Sequence, residues 1–404
     1  QVQERMLPET DQRIDLEIEE LFTRGTIAGD TWEAFGQIRE VDFGLDGSLY
    51  ILDQQASLVL RVSPDGEYLG SIGRQGDGPG ELSLPTALLV APDGRVWVRD
   101  TRRSTWAIFE SDGTYVDNVS FDGSRGVPST IRVASDGSIA AMPNELTMRQ
   151  GGEVTRSYMV QGGASPGNVE RIPLLTFDPE GTNPRVLHEV WKADRMRISG
   201  GTLLEMAFVG QTHFDLLPDG RVVVVDSLDW RLRLVAGHLG LADQVLTRPV
   251  PPQPVTERIQ ELEVERRSVL ANQGRSGGAL VIGGSLEGDG DRMPRAMEQR
   301  LRSGLGFPEV RQVIRGLEVD SRGRIWIART PESLDPDAPG PVDVLDASGR
   351  YLGTVPEMTL PDAFGPDGLA VWVGEGEFEV PVVTVRRVRL GGARSAGPRS
   401  RPRP

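Results

Sequence analysis

Cysteine is missing from this chain of 404 residues, which excludes disulfides, thiol nucleophiles and thiolate metal sites. Histidine is scarce, with 3 residues, so a zinc site built from several histidines is not expected. Long apolar runs are also missing. The longest, such as Val222 to Val225, fall far short of a membrane span, and we expect no transmembrane segment.

Positive charge is scarce over most of the chain. Lys and Arg number 44 against 59 Asp and Glu, and the last nineteen residues, from Arg386 on, hold seven Arg and no acid. The remainder therefore carries 37 basic against 59 acidic residues, a net charge of -22. Because such a body repels phosphate backbones, nucleic acid is not an expected partner. Residues 391–404, rich in Arg and Pro, have nothing to bury and are predicted to be a disordered tail.

One phrase, a strand, a tight turn and a second strand, occurs six times along the chain. Pro-Asp-Gly favours a type I turn that ends on a left-handed Gly, and the flanking Val, Ile, Leu and Trp favour strands. A second turn nineteen residues later, in two of the copies, extends each unit to a four-stranded meander of about 45 residues. The anchors of the six copies are Asp46, Asp93, Asp136, Asp219, Arg322 and Asp367.

Six meanders, each too small to bury its own faces, become stable when they are arranged radially, so the sequence predicts an all-β fold, a six-bladed β-propeller. We expect one domain over residues 1–390. Residues 14–22 alternate without a hairpin partner, and we predict that they close the ring as the outer strand of the last blade. Inserts are expected at about 145–210 and 251–310. The second, from its pattern at Val255 to Asn272, is predicted to be a helical insert between blades four and five.

The segment Ile72 to Pro85, IGRQGDGPGELSLP, resembles NHL-type repeats, and the whole chain is similar to six-bladed propellers common among exported bacterial proteins. The resemblance extends from Glu33 to Gly374, nearly the whole chain. It implies an exported protein, secreted or periplasmic, that binds a ligand or a partner, and it supplies no catalytic motif to transfer.

The innermost strand of each unit alternates between two faces, counted backward from the anchor. Positions three and five are nearly all apolar and should form the packed faces, so positions four and six should face the central channel. Charged side chains at those positions form the candidate ligand-binding set: Glu40, Asp42, Arg132, His213, Asp215 and Glu318. Charges on a crowded axis need water or a partner.

Two interpretations of this set remain open. In the first, the channel binds a cation such as Ca²⁺ or a cationic ligand, with Asp42, Asp215 and Glu318 as the metal-ligand candidates. In the second, an Arg–carboxylate network with ordered water seals the channel. Convergence of the carboxylates on one point would favour calcium, and a forked Arg132 contact would exclude it.

No complete catalytic constellation is present, so the sequence favours a non-catalytic exported propeller, expected to be monomeric, that binds a small molecule or a protein through one face of the ring. One alternative is a metal-dependent hydrolase or lyase at the channel mouth. Another is a structural component of a surface assembly, which a large apolar patch beside the helical insert would favour.

Overall fold

A computed structural model describes residues 2–26, 29–121, 128, 130–142, 145–150, 153–160, 163–164, 171–191, 196–199, 202–272, 295–335 and 337–391. Residues 392–404 of the tail that the sequence analysis predicted, and much of the first insert, lie outside these ranges. In these ranges the fold is an all-β propeller of six blades, each a sheet with its first strand innermost. The prediction of six blades with a helical insert is confirmed.

Successive strands of each blade are antiparallel neighbours. Blade 1 contains Ile38–Phe43, Leu49–Asp53, Leu58–Val62 and Tyr68–Ile72, and blade 2 contains Pro85–Val90, Val96–Asp100, Thr105–Phe109 and Tyr115–Val119. Blade 3 contains Thr130–Val133, Ile139–Met142, Arg171–Phe177 and Arg185–Trp191, and blade 4 contains His213–Leu216, Val222–Val225, Arg231–Val235 and Gln244–Thr247. Blade 5 contains Ile314–Val319, Ile325–Arg329, Gly340–Leu345 and Tyr351–Met358, and blade 6 contains Ala363–Phe364, Leu369–Glu375, Pro381–Leu390 and Leu16–Arg24.

The Asp-Gly turns form the hairpins that the sequence predicts. In blade 1 the amide of Gly44 donates to the carbonyl of Ser48 over 2.8 Å, and Gly47 has a φ of 79° that only glycine adopts without strain. The Asp46 carboxylate accepts from the Ser48 amide over 3.0 Å and fixes the turn. These hairpins all lie on one side of the ring because they join the first two strands of each meander.

The hydrophobic core is divided among the blade interfaces. Six clusters of buried side chains are present among the described residues, and each contains residues from two adjacent blades. Between blades 1 and 2, for example, Tyr50 and Leu52 pack with Val96 and Val98. Radial packing therefore supplies the burial that a single meander lacks.

The N-terminal residues run along the outside of three blades. Gln3–Met6 pairs in parallel with Gln244–Thr247 as a fifth strand of blade 4. The Thr354 amide of blade 5 then donates to the carbonyl of Gln12 over 2.8 Å. Leu16–Arg24 finally pairs antiparallel with Pro381–Leu390, so that the outer strand of the last blade comes from the start of the chain. We call residues 3–24 the belt.

A buried ion network fastens the belt to blades 4 and 5. The side chains of Arg248 and Asp343 are fully buried, and Nη1 of Arg248 donates to Oδ1 of Asp343 over 2.7 Å. Nη2 of Arg248 contacts Oδ1 of Asp11 in the belt over 2.6 Å. Asp343 also accepts from the Thr354 hydroxyl over 2.6 Å and from Nε1 of Trp230 over 2.6 Å. Each charge is thus paired and hydrogen-bonded, as buried charges must be.

The inserts leave the ring on the side opposite the Asp-Gly hairpins. The second insert contains helix α1, Glu257–Asn272, and helix α2, Arg295–Gly304, followed by the short strand Leu305–Gly306. That strand pairs in parallel with Thr202–Met206, which follows blade 3, and Thr202–Met206 pairs with Met196–Ser199. A second small sheet is formed by Glu145–Gln150, Glu153–Val160 and Gly163–Ala164.

The two inserts are therefore joined, which the sequence did not predict. In α1 the carboxylate of Glu263 is buried and accepts from Arg266 and Arg267, each over 2.7 Å. Arg267 also contacts Glu205 of the first insert over 2.9 Å. We call this side of the ring, where blades connect to one another through residues such as 248–313 and 359–362, the flap face.

Candidate functional site

The central channel contains most of the charged side chains that the sequence placed there. A cavity of about 410 Å³ is lined by Glu40, Asp42, Arg132, Asp215 and Glu318, each from an innermost strand. Strand alternation brings them together, because their apolar neighbours Val41, Phe214 and Leu317 are buried between the blades.

His213 is not among the residues that line this cavity. Nε2 of its ring is buried without a hydrogen-bond partner. Burial lowers the pKa of His213 from 6.5 to about 4, so the ring is neutral at physiological pH.

Two aspartates of the channel join neighbouring blades. Oδ2 of Asp42 accepts from the Val90 amide of blade 2 over 2.7 Å, and Oδ2 of Asp215 accepts from the Val319 amide of blade 5 over 2.8 Å. The innermost strand of a blade has an open edge, and these carboxylates satisfy backbone donors on that edge. Glu40, two residues before Asp42 on the same strand, also joins blades 1 and 2, because its Oε2 accepts from the Leu88 amide over 2.7 Å.

Arg132 is the cation of the cluster. Its Nε donates to Oδ1 of Asp215 over 2.9 Å, and its Nη1 donates to the carbonyl of Ile131 over 3.1 Å. The contact with Asp215 uses one nitrogen and is not forked. Although burial alone would lower it, the pKa of Arg132 is raised by the carboxylates of Asp215, Glu318 and Glu40, so the guanidinium stays charged.

The channel disfavours charge on its acids. Burial raises the pKa of Glu40 from 4.5 to about 7 and that of Asp42 from 3.8 to about 6, against the opposing effects of their backbone hydrogen bonds and Arg132. Burial also raises the pKa of Glu318 well above 4.5, and the neighbouring Asp215 adds to this effect. One arginine therefore does not compensate the surrounding carboxylates.

Asp362 is a further channel residue that the sequence analysis did not include. It occupies position five of blade 6, where an apolar residue is expected on the packed face. The first strand of this blade has only two paired residues, Ala363 and Phe364, so regular alternation ends before Asp362. Its carboxylate accepts from the Val373 amide over 2.7 Å, and burial raises its pKa. The only signal in the sequence was that Asp362 breaks the apolar pattern.

A second cavity, of about 900 Å³, opens on the flap face between blades 5, 6 and 1. Its apolar wall includes Trp372, Leu360 and Ile38, and its polar groups include Arg315, Asp337 and Glu375. Asp362 borders both this cavity and the channel, so the two spaces meet at that residue.

No group of three or more His, Asp or Glu side chains within the described ranges is arranged to hold a metal ion. The predicted ligands Asp42 and Asp215 instead accept hydrogen bonds from backbone amides. The suggestion that these residues bind calcium with Glu318 stays a prediction.

None of the helices within the described residues combines the length and the apolar character that a membrane span requires.

Comparison with known proteins identifies no family. No family profile matches the chain, and no curated protein matches its sequence. NHL-type repeats therefore stay a prediction.

Among solved structures, a protein of Bacteroides fragilis named as exported is 11% identical with a TM-score of 0.48, covering 96% of this chain and 100% of the other. A duf4221 family member from Bacteroides vulgatus is 10% identical with a TM-score of 0.49, covering 94% and 100%. Virginiamycin B lyase from Staphylococcus aureus is 9% identical with a TM-score of 0.41, covering 93% and 99%. At such identities no activity is transferred to this chain.

Proposed function

We propose that this protein is a non-catalytic binding protein that takes a ligand, or a segment of a partner protein, into the flap-face cavity. The observation that carries the proposal is the cavity itself. At about 900 Å³ it has the size of a ligand site, and it combines an apolar wall with a few polar groups at its floor and rim. Loops that border a cavity on a rigid scaffold are where binding residues concentrate.

The chemistry of the channel supports binding over catalysis. Asp42, Asp215 and Glu40 hold backbone amides of neighbouring blades, so they are structural groups with fixed partners. The ring of His213 does not line the channel, so it is not placed to act as a base on a substrate there.

Blocking the cavity tests the proposal. Gly374 lines it, and a Cβ built there would meet only Cγ2 of Val382, at 3.9 Å, so the position accepts a side chain without displacing the backbone, and Gly374→Trp is designed to occupy the cavity. Leu241→Trp is the matched control, because Leu241 is 58% exposed on an outer hairpin of the opposite side.

The measurement is thermal unfolding with a fragment library. A ligand at a hundredfold excess over its Kd stabilises the folded state by about 2.7 kcal/mol. Fragments that stabilise the wild-type protein and Leu241→Trp should fail to stabilise Gly374→Trp. Stabilisation of all three proteins alike, or of none, would contradict the proposal. Calcium and a chelator in the same assay test the metal alternative.

We also propose that the protein is exported, secreted or periplasmic. A chain without cysteine needs no particular redox environment, and the NHL-like segment Ile72 to Pro85 supports the assignment. Fractionation of the source cells with an antibody to the protein tests it, and recovery from the cytoplasm alone would contradict it.

A further inference from the structure

Glu318 is the exception among the carboxylates of the channel. At the equivalent position of their strands, Asp42 and Asp215 each cross to a backbone amide of the next blade. The equivalent donor on blade 6 is the amide of Phe364, in the short strand Ala363–Phe364, and within the described residues it makes no hydrogen bond to Glu318. Among the described residues, no hydrogen bond reaches its carboxyl group, which lines the channel cavity.

Asp362 lines the channel cavity together with Glu318. Its charge also raises the pKa of Glu318, although less than burial and the charges of Asp215 and Asp42 do. Asp362 also borders the flap-face cavity, whereas Arg132, the channel cation, is paired with Asp215. Two carboxyl groups therefore line the channel cavity where Asp362 also borders the flap-face cavity, and within the described residues neither is hydrogen-bonded to a cationic side chain.

The flap-face cavity reaches the channel cavity at Asp362, which lines both. Gly316 occupies position six of blade 5, where blade 1 has Glu40, and it lines the flap-face cavity. A Cβ at Gly316 would meet Cδ1 of Leu360 at 3.0 Å, so the side chain of Leu360 packs against this position. The apolar wall formed by Trp372 and Leu360 borders the same cavity and suits the hydrocarbon part of a ligand.

We propose that the ligand of this protein is an organic cation, whose ammonium or guanidinium group binds between Glu318 and Asp362 while its apolar part lies against Trp372. The inference rests on the proposed function, because the cation enters through the flap-face cavity. An organic cation donates several directed hydrogen bonds and supplies the missing charge without the three or more ligands that a metal ion requires.

Binding of the cation displaces protons. The charges that face Glu318 are those of Asp215, Arg132, Asp42 and Asp362, and the charge acting on Asp362 from the rim is that of Asp337. Burial raises the pKa of both acids and so favours their protonated forms. A bound positive charge lowers both pKa values, so protons are released on binding and affinity rises with pH.

Isothermal titration calorimetry with benzylammonium, and with benzyl alcohol as its neutral counterpart, tests the inference. We expect benzylammonium to bind at least about tenfold more tightly, the effect of one charged hydrogen bond. Titrations in phosphate and in Mops, neither of which carries a net positive charge, should give different apparent enthalpies because released protons are taken up by buffers of different ionisation enthalpy.

Substitutions at the junction separate this site from general attraction to an acidic protein. Glu318→Gln and Asp362→Asn should each weaken benzylammonium binding about tenfold and reduce proton release, with benzyl alcohol unaffected. Glu67→Gln removes the same charge from an exposed outer hairpin and should leave both titrations unchanged. Unfolding curves of the variants verify that each is folded.

Several outcomes would overturn the inference. They are equal affinity for the two probes, no binding of either probe, or benzylammonium binding that survives both junction substitutions. Calcium binding that Glu318→Gln abolishes, with no response to benzylammonium, would assign the site to a metal. If neutral fragments are still blocked by Gly374→Trp, the proposed function stands while the cation assignment fails. If fragments stabilise Gly374→Trp as much as the wild-type protein, the proposed function itself is refuted.

Discussion

Replacing Glu40 by Gln should stabilise the protein, and the gain should grow with pH. Glu40 is the clearest case of a channel acid that burial disfavours in its charged form, with a pKa raised from 4.5 to about 7. Its Oε2 accepts from the Leu88 amide over 2.7 Å, a hydrogen bond that the amide oxygen of Gln can retain. The substitution therefore removes the buried charge and keeps the contact.

The magnitude follows from proton linkage. Between pH 4.5 and 7 the folded protein holds a proton on Glu40 that the unfolded chain has lost, so wild-type stability falls as pH rises through this window. Each pKa unit corresponds to about 1.4 kcal/mol, so the loss approaches about 3 kcal/mol at pH 8 and is about 2 kcal/mol near pH 6. Glu40→Gln is free of this loss, and the two proteins should be nearly equal near pH 4.

Urea unfolding at about pH 4, 6 and 8 measures the effect. Glu67→Gln, an exposed position on an outer hairpin of the same blade, controls for the change in net charge. A constant difference between Glu40→Gln and wild type at all three pH values, or a gain that shrinks as pH rises, would refute the conclusion that burial governs this carboxyl. Destabilisation at every pH would show that Arg132 depends on the charge of Glu40.

Two further changes test the belt and the closure of the ring. Arg248→Met leaves Asp343 buried without its cation and should lower the free energy of unfolding in urea by about 3–5 kcal/mol. Hydrogen exchange in residues 3–14 should become faster. Unchanged exchange would mean that the network does not hold the belt. Phe22→Ala empties a buried site between blades 6 and 1 and should lower the free energy of unfolding by about 3–5 kcal/mol. A loss below about 1 kcal/mol would show that the strand Leu16–Arg24 does not unfold together with the rest of the ring.

The sequence predicts the blades well because the information is local. An Asp-Gly turn with β-branched and aromatic flanks defines a hairpin within about a dozen residues, and six such hairpins define the ring. The strand period of two then directs Asp42, Asp215 and Glu318 to the channel without knowledge of any distant contact. Asp362 was missed because the period holds only while a strand is regularly paired.

Contacts between distant segments could not be predicted in the same way. The pairing of Thr202–Met206 with Leu305–Gly306 joins two inserts across most of blade 4 and leaves no local pattern. Gln3–Met6 adds to blade 4 in parallel, without the hairpin that marks an antiparallel neighbour. Arg248 and Asp343 are charged residues, which sequence patterns place at the surface. Only the structure shows that both are buried and that they form the ion network that holds the belt.

The free-energy cost of burying a charged carboxyl group affects both stability and binding in the channel. A carboxyl group that is stabilised by protonation when the channel is empty becomes stabilised in its charged form when a cation is bound. Glu40→Gln should therefore raise stability without affecting benzylammonium binding, because Glu40 has its own partner in the Leu88 amide. Glu318→Gln should also raise stability, but it should weaken binding of the organic cation. A gain in stability with unchanged binding in both variants would show that the junction of Glu318 and Asp362 differs from the rest of the channel in hydrogen bonding alone.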